Sequence, residues 1–126
     1  MVQRFVESIN ARDVDAIVAL MTDDHRFFDS LGREVVGRER MRPGWEEYFR
    51  MVPDYRVEVR ENFVDGQVVV LPGVARGTCT RGGTLPAVNT WETPAAWRAR
   101  VSGDRVAAWQ VYADNEPIRR RINDSA

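Results

Sequence analysis

The strongest constraint on the fold is a change of hydrophobic period along the chain. In the first half, apolar residues recur every three or four positions, which is typical of amphipathic helices. From about Tyr55 onward, apolar and polar residues alternate, which is typical of strands with one buried face. Helices followed by a run of consecutive strands indicate the α+β class, in which the helices cover one face of the sheet.

Three helices are predicted before the main run of strands. The first ends before Asp13, whose side chain is suited to capping the N-terminus of the second helix. Thr22-Asp23-Asp24 is expected to end that second helix. The third is expected to follow Gly37 and to run to about Met51, with Pro43 kinking it or delaying its start.

The strands are predicted to form antiparallel hairpins. A short hairpin is expected to pair His25–Asp29 with Arg33–Val36, between the second and third helices. Later strands are predicted over residues 55–63, 67–80, 89–101 and 105–113, with a bulge at Pro72-Gly73. A sheet of this kind has to bury one face against the helices, and if it curls it leaves a cavity there.

Composition narrows the function. The 126 residues are predicted to form one domain, residues 1–126, and a net charge of −1 without a basic stripe argues against a nucleic-acid partner. No apolar run is long enough to span a bilayer, so no membrane partner is expected. A single cysteine, Cys79, makes a cytoplasmic location the default. A single histidine, His25, excludes sites with several His or Cys ligands, so no metal is expected.

Several segments spread over nearly the whole chain carry a family pattern. They are Val2–Val6, Asn10–Asp15, Ile17–Leu20, Asp23-Asp24, Asp29, Gly37 and Val106–Ile118. In these segments the chain resembles the nuclear transport factor 2-like superfamily, and within it the SnoaL-like and ketosteroid-isomerase-like domains. The resemblance implies a cone-shaped barrel, in which a curved antiparallel sheet packs on three N-terminal helices. It also implies a homodimer, and an apolar small molecule bound in the cone without a cofactor.

The resemblance to ketosteroid isomerase implies that Asp29 is a general base for an isomerase, dehydratase or cyclase type of proton transfer. Burial among aromatic rings would raise the pKa of Asp29 above the usual value of about 3.9, which suits a base near neutral pH. The alternative is that Asp29 binds its own Ser30-Leu31-Gly32 turn.

The oxyanion donors of that isomerase have no counterpart in this chain. Their positions fall on Phe5 and on Ala96 or Trp97, which carry neither a hydroxyl nor a carboxyl group. Tyr48, His25 or Trp91 would therefore have to stabilise a developing oxyanion.

Two further residues are candidates for catalysis, and a set of aromatic residues is expected to bind substrate. His25 could line the cavity or lie at the surface. Asp114 is the second candidate acid or base, as in a cyclase or epoxide-hydrolase type of enzyme, although the strand period points it away from Trp109. The expected substrate-binding residues are Phe27, Trp45, Tyr48, Phe63, Trp91 and Trp109.

Two alternatives from other classes remain open. The domain could bind a small molecule without converting it. It could also be a structural dimerisation domain whose cone is filled by Trp45, Trp91, Trp97 and Trp109, with no cavity left.

Overall fold

The order of helices and strands follows the change in hydrophobic period. The computed structural model describes residues 2–81, 83–114 and 116–117, so the end of the resemblance at Ile118 lies outside the described residues. The helices are α1 (Val2–Asn10), α2 (Val14–Ala19) and α3 (Arg38–Met51), with one 3-10 turn at Ala87–Asn89. The strands are β1 (Met21–Phe28), β2 (Glu34–Val36), β3 (Arg56–Val59), β4 (Phe63–Asp65), β5 (Val68–Thr78), β6 (Thr90–Ser102) and β7 (Arg105–Ala113).

The strands form one curved sheet in the order β2-β1-β7-β6-β5-β3, and β4 also pairs with β5. The α+β class and the three N-terminal helices are confirmed. The expectation of a fully antiparallel sheet is corrected, because β1 pairs with β7 in parallel and the sheet is therefore mixed. The sheet is also unclosed, since among the described strands β2 and β3 remain at its two ends.

The helices cover one face of the sheet with the apolar positions of their sequence period. Helix α1 buries Val2, Phe5, Val6 and Ile9. The predicted cap of α2 is confirmed, because the Asp13 carboxylate accepts a hydrogen bond from the Ala16 backbone at 3.1 Å. This bond satisfies one of the backbone N–H groups that have no partner at a helix start.

Two predicted boundaries are wrong. Thr22-Asp23-Asp24 does not end α2, because β1 already begins at Met21. Helix α3 begins at Arg38 and continues through Pro43, so Pro43 does not delay its start. Pro43 has no N–H, so the carbonyl of Glu39 loses its helical partner; Glu39 is exposed, and water can take the place of that donor.

The interruption predicted at Pro72-Gly73 is found at that position, but on the neighbouring strand and not within β5 itself. Pro72 and Gly73 stay in continuous register with β6. The interruption lies on the opposite edge of β5, where the strand predicted over residues 55–63 is divided into β3 and β4. Between them, the backbone N–H groups of Arg60 and Glu61 both donate to the Pro72 carbonyl. A Cβ atom at Gly73 would lie 1.9 Å from the Glu58 carbonyl oxygen, so this close approach requires glycine.

Candidate functional site

A cavity of about 380 Å³ opens between helix α3 and the covered face of the sheet. Helices α1 and α3, strands β1, β2, β6 and β7, and the turn between β1 and β2 all contribute to its wall. The apolar and aromatic lining residues are Ile9, Phe27, Val35, Met41, Trp45, Tyr48, Tyr55, Trp97, Trp109 and Val111. The polar and charged lining residues are Asp29, Ser30, Arg33 and Arg40. An apolar wall with a few polar groups is the usual form of a small-molecule site.

Helix α3 positions one aromatic side of the cavity. Met41, Trp45 and Tyr48 recur at helical spacing, so their side chains share the face that is turned to the sheet. Trp45 stacks on Phe49 with ring centres 5.4 Å apart, and Phe27 meets Trp45 edge-on at 6.4 Å. The rings therefore pack against one another along one side of the cavity and do not fill it. The alternative of a cone filled by tryptophans is corrected by this open space.

Two tyrosines at the base of the cavity stay protonated. The rings of Tyr48 and Tyr55 meet edge-on at 4.9 Å. Desolvation raises the pKa of Tyr48 well above its usual value, and it also raises the pKa of Tyr55, whose hydroxyl is hydrogen-bonded to the side chain of Trp97. Since neither hydroxyl ionises near neutral pH, Tyr48 is available as a hydrogen-bond donor to a bound molecule.

Asp29 lies at the cavity, in the turn that follows β1. Its Oδ1 accepts hydrogen bonds from the backbone N–H groups of Leu31 at 2.9 Å and Arg33 at 3.0 Å. Its Oδ2 accepts a third bond from Nε of Arg33 at 2.8 Å. Both proposed roles are therefore compatible with its position, because Asp29 binds its own turn and also lines the cavity.

The expectation of a raised pKa for Asp29 is wrong. Partial desolvation does push the pKa of this carboxyl upward, but the hydrogen bonds from Arg33 and Leu31 and the charge of Arg33 outweigh it. The pKa of Asp29 lies below its usual value as a result.

His25 neither lines the cavity nor lies at the surface, so it occupies neither of the two positions expected from the sequence. Its side chain is fully buried, and its ring lies 6.3 Å from that of Phe5 under helix α1. Nδ1 lies 2.7 Å from the Val106 carbonyl oxygen. Because a carbonyl only accepts, Nδ1 carries the proton and donates, while Nε2 is buried without a partner among the described residues. Desolvation lowers the pKa of His25, and the Val106 hydrogen bond and Asp24 oppose this shift without reversing it.

Three other predicted site residues lie away from the cavity. The Asp114 side chain is exposed and accepts a hydrogen bond from the Glu116 backbone at 3.0 Å, which is a local capping contact. Phe63 is 56% exposed on the short strand β4. Trp91 is buried against Tyr55, with ring centres 6.2 Å apart, and does not reach the cavity surface. None of the three lines the cavity, because strand alternation identifies a buried face without indicating which of its residues border a cavity.

The structure brings five of the predicted site residues together and adds others. The five that line the cavity are Phe27, Asp29, Trp45, Tyr48 and Trp109. Sequence reasoning missed Arg33, Arg40, Tyr55 and Trp97 as lining residues. The position of Arg40 could have been predicted from the sequence. Arg40, Gly44 and Tyr48 follow one another at intervals of four residues on α3, so they share one helical face.

A comparison with models of protein families shows the family to which the chain belongs. The model of the SnoaL-like domain matches residues 2–111 of the chain. The chain belongs to the SnoaL-like domain family. A search of curated proteins finds no match.

In the described part of the structure, no helix combines the length and the apolar character needed to cross a membrane.

Solved structures show the same fold at low sequence identity. A candidate SnoaL-like polyketide cyclase from Shewanella denitrificans OS-217 aligns with a TM-score of 0.82 and 12% identity, covering 98% of this chain and 94% of that chain. IdmH from Streptomyces antibioticus, a candidate polyketide cyclase, aligns with a TM-score of 0.78 and 20% identity, covering 97% of this SnoaL-like chain and 95% of its own.

A third similar structure carries a small molecule. It is a hypothetical protein with a ketosteroid-isomerase-like fold from Catenulispora acidiphila DSM 44928, solved in complex with trimethylamine. It aligns with a TM-score of 0.76 and 20% identity, covering 88% of this chain and 82% of that chain. At these identities the three likenesses show the fold alone.

Proposed function

We propose that this SnoaL-like domain binds an apolar small molecule in the cavity and catalyses a cofactor-independent proton transfer, of isomerase, dehydratase or cyclase type, with Asp29 as general base. One observation carries the proposal. Among the described residues, Asp29 is the only acidic side chain lining a cavity whose wall is otherwise mostly apolar and aromatic. Family membership and the fold shared with candidate polyketide cyclases support a small-molecule-binding or cyclase-type domain.

The proposed step begins on a carbon next to a carbonyl group. Its C–H bond breaks, the proton moves to the Asp29 carboxylate, and the electron pair forms an enolate with its charge on oxygen. Delivery of the proton to another carbon completes an isomerisation. In D2O the protonated Asp29 carboxyl first exchanges its proton with solvent, and delivery of a deuteron to the original carbon completes hydrogen exchange. Because hydrogen bonds lower the pKa of Asp29, it is ionised near neutral pH but is a weak base. The substrate it suits is therefore an acidic one, with the C–H group between two carbonyls or between a carbonyl and an aromatic ring.

Tyr48 is the group we assign to the enolate oxygen. Its hydroxyl belongs to a cavity-lining side chain and its raised pKa keeps it protonated, so it can donate a hydrogen bond to a developing negative charge. His25 and Trp91 are not retained in this role, because neither lines the cavity.

Deuterium exchange tests the proposal. The ketone 2-tetralone has a C–H group between its carbonyl and its aromatic ring, and its exchange in D2O is followed by proton NMR. We expect wild type to accelerate exchange over buffer and Asp29→Asn to lower that rate by about 100-fold or more, the usual contribution of a general base. Asp24→Asn is the matched control, since this exposed aspartate on β1 does not line the cavity. Equal rates in wild type and Asp29→Asn would remove Asp29 from the mechanism.

A non-catalytic binding domain is the second candidate, and one observation favours it. The Asp29 carboxylate already accepts three hydrogen bonds within its own turn, which reduces its basicity. If 2-tetralone binds to wild type while its exchange stays at the buffer rate, the binding function is supported and the proposed catalysis is overturned.

A further inference from the structure

The first turns of helix α3 carry three arginines that differ in their partners. Arg38 forms an ion pair with Asp23 at 3.3 Å. Arg42 forms ion pairs with Asp15 and with Glu39. The guanidinium of Arg40, by contrast, has no acidic partner and no hydrogen bond among the described residues, and Arg40 is the one of the three that lines the cavity.

The other charges at the cavity leave the positive charge of Arg40 uncompensated. Asp29 and Arg33 form an ion pair at 2.8 Å and so balance each other. No further charged side chain lines the cavity among the described residues, which leaves a net charge of +1 contributed by Arg40. A bound molecule therefore meets a mostly apolar wall, the Asp29–Arg33 ion pair and a single guanidinium without an acidic partner.

From these observations we infer that the ligand of this cavity is an apolar molecule with a carboxylate, and that Arg40 binds the carboxylate. This inference rests on the proposed binding function and adds the substrate class. A guanidinium matches a carboxylate with two parallel N–H donors, and it is always charged near neutral pH.

Gly44 lies about one helical turn beyond Arg40 on α3. It lines the cavity between Arg40 and Tyr48 on the same face of α3, and a Cβ atom built there would have no neighbour within 4 Å. The absent side chain leaves open space above the helix, where the apolar body of the ligand can lie. Arg40 and Tyr48 are about 12 Å apart along the axis, at 1.5 Å per residue. A ligand with its carboxylate at Arg40 would direct its opposite end toward the Tyr48 hydroxyl.

The experiment compares two probes of nearly the same shape by isothermal titration calorimetry at pH 7. The anionic probe is 2-naphthoate and the neutral probe is 2-naphthamide. We expect wild type to bind 2-naphthoate about tenfold more tightly, and this preference to shrink as salt is added. Arg40→Gln should bind both probes with similar affinity, because the charge that distinguishes them is removed. Arg42→Gln is the matched control on the same helix and should keep the wild-type preference.

The outcomes separate this inference from the function on which it rests. Equal binding of the two probes by wild type, or a preference that survives in Arg40→Gln, would overturn the role of Arg40 and leave apolar binding intact. A preference lost to the same extent in Arg42→Gln would also overturn it, since a general effect of helix charge would then explain the data. Failure of both probes to bind wild type would overturn the inference together with the proposed binding function.

Discussion

Replacing His25 with phenylalanine tests whether this histidine is a structural group. The substitution keeps a buried aromatic ring but removes the donor to the Val106 carbonyl, which His25 contacts at 2.7 Å. A buried acceptor left without a partner costs about 1–3 kcal/mol. We therefore expect His25→Phe to lower the free energy of unfolding by about that amount at pH 7.5, as measured by urea denaturation.

The difference between wild type and His25→Phe should depend on pH. Burial lowers the pKa of His25 in the folded protein below its usual value of 6.5. As the pH falls through 6.5, the unfolded chain binds a proton that the folded protein does not, so wild type loses stability, by at most about 1.4 kcal/mol per pH unit. The contribution of neutral His25 to the stability of wild type is therefore complete above the pKa of histidine in the unfolded chain. It declines as the pH falls from there toward the lower pKa of His25 in the folded protein.

His25→Phe lacks this proton uptake, so the stability gap between the two proteins should narrow between pH 7.5 and pH 5. The chain contains one histidine, so a single imidazole Cε1–H resonance reports its titration without overlap. We expect a midpoint below 6.5 in the folded protein. A midpoint at or above 6.5, or the same pH dependence of stability in both proteins, would refute the assignment of His25 as a buried neutral group.

Three further predictions concern single residues. Gly73→Ala should lower the free energy of unfolding by about 3 kcal/mol or more in urea denaturation, because its Cβ would lie 1.9 Å from the Glu58 carbonyl oxygen; a loss below about 1 kcal/mol would contradict this. Asp13→Ala should cost about 1 kcal/mol by the same assay through loss of the helix cap, and no loss would show that the cap is dispensable. Exchange that depends on Asp29 should be independent of pH above about 5, because the pKa of Asp29 is lowered; a midpoint near pH 6 is the opposite result.

The sequence predicts the local structure of this chain well where the hydrophobic period is regular. The apolar positions of α1 and the alternation in β6 reflect one buried face each, so they predict element type directly. The parallel pairing of β1 with β7 was not predicted, because these strands are separated by most of the chain and their pairing depends on the tertiary fold. The homodimer and the cytoplasmic location stay predictions.

The candidate site was harder to predict because it depends on which groups meet in space. For Asp29, the sequence allowed both a role at the cavity and a role in its own turn, and the structure shows that one side chain does both. The direction of its pKa shift depends on where the turn places the backbone N–H and the guanidinium of Arg33, which no pattern specifies. His25 lies on the same strand as Phe27, but helix α1 covers it. The alternation of residues along a strand does not predict which of them a helix will cover.

The central claim, that the cavity takes up an apolar small molecule, is tested most directly by filling it from helix α3. The dissociation constant of 2-tetralone is measured by calorimetry for wild type, Gly44→Ala and Gly44→Phe. A Cβ at Gly44 has no neighbour within 4 Å, and replacing a helical glycine favours the helix, so both variants should fold. We expect Gly44→Ala to bind like wild type and Gly44→Phe to bind at least about tenfold more weakly. Unchanged affinity in Gly44→Phe would contradict the claim.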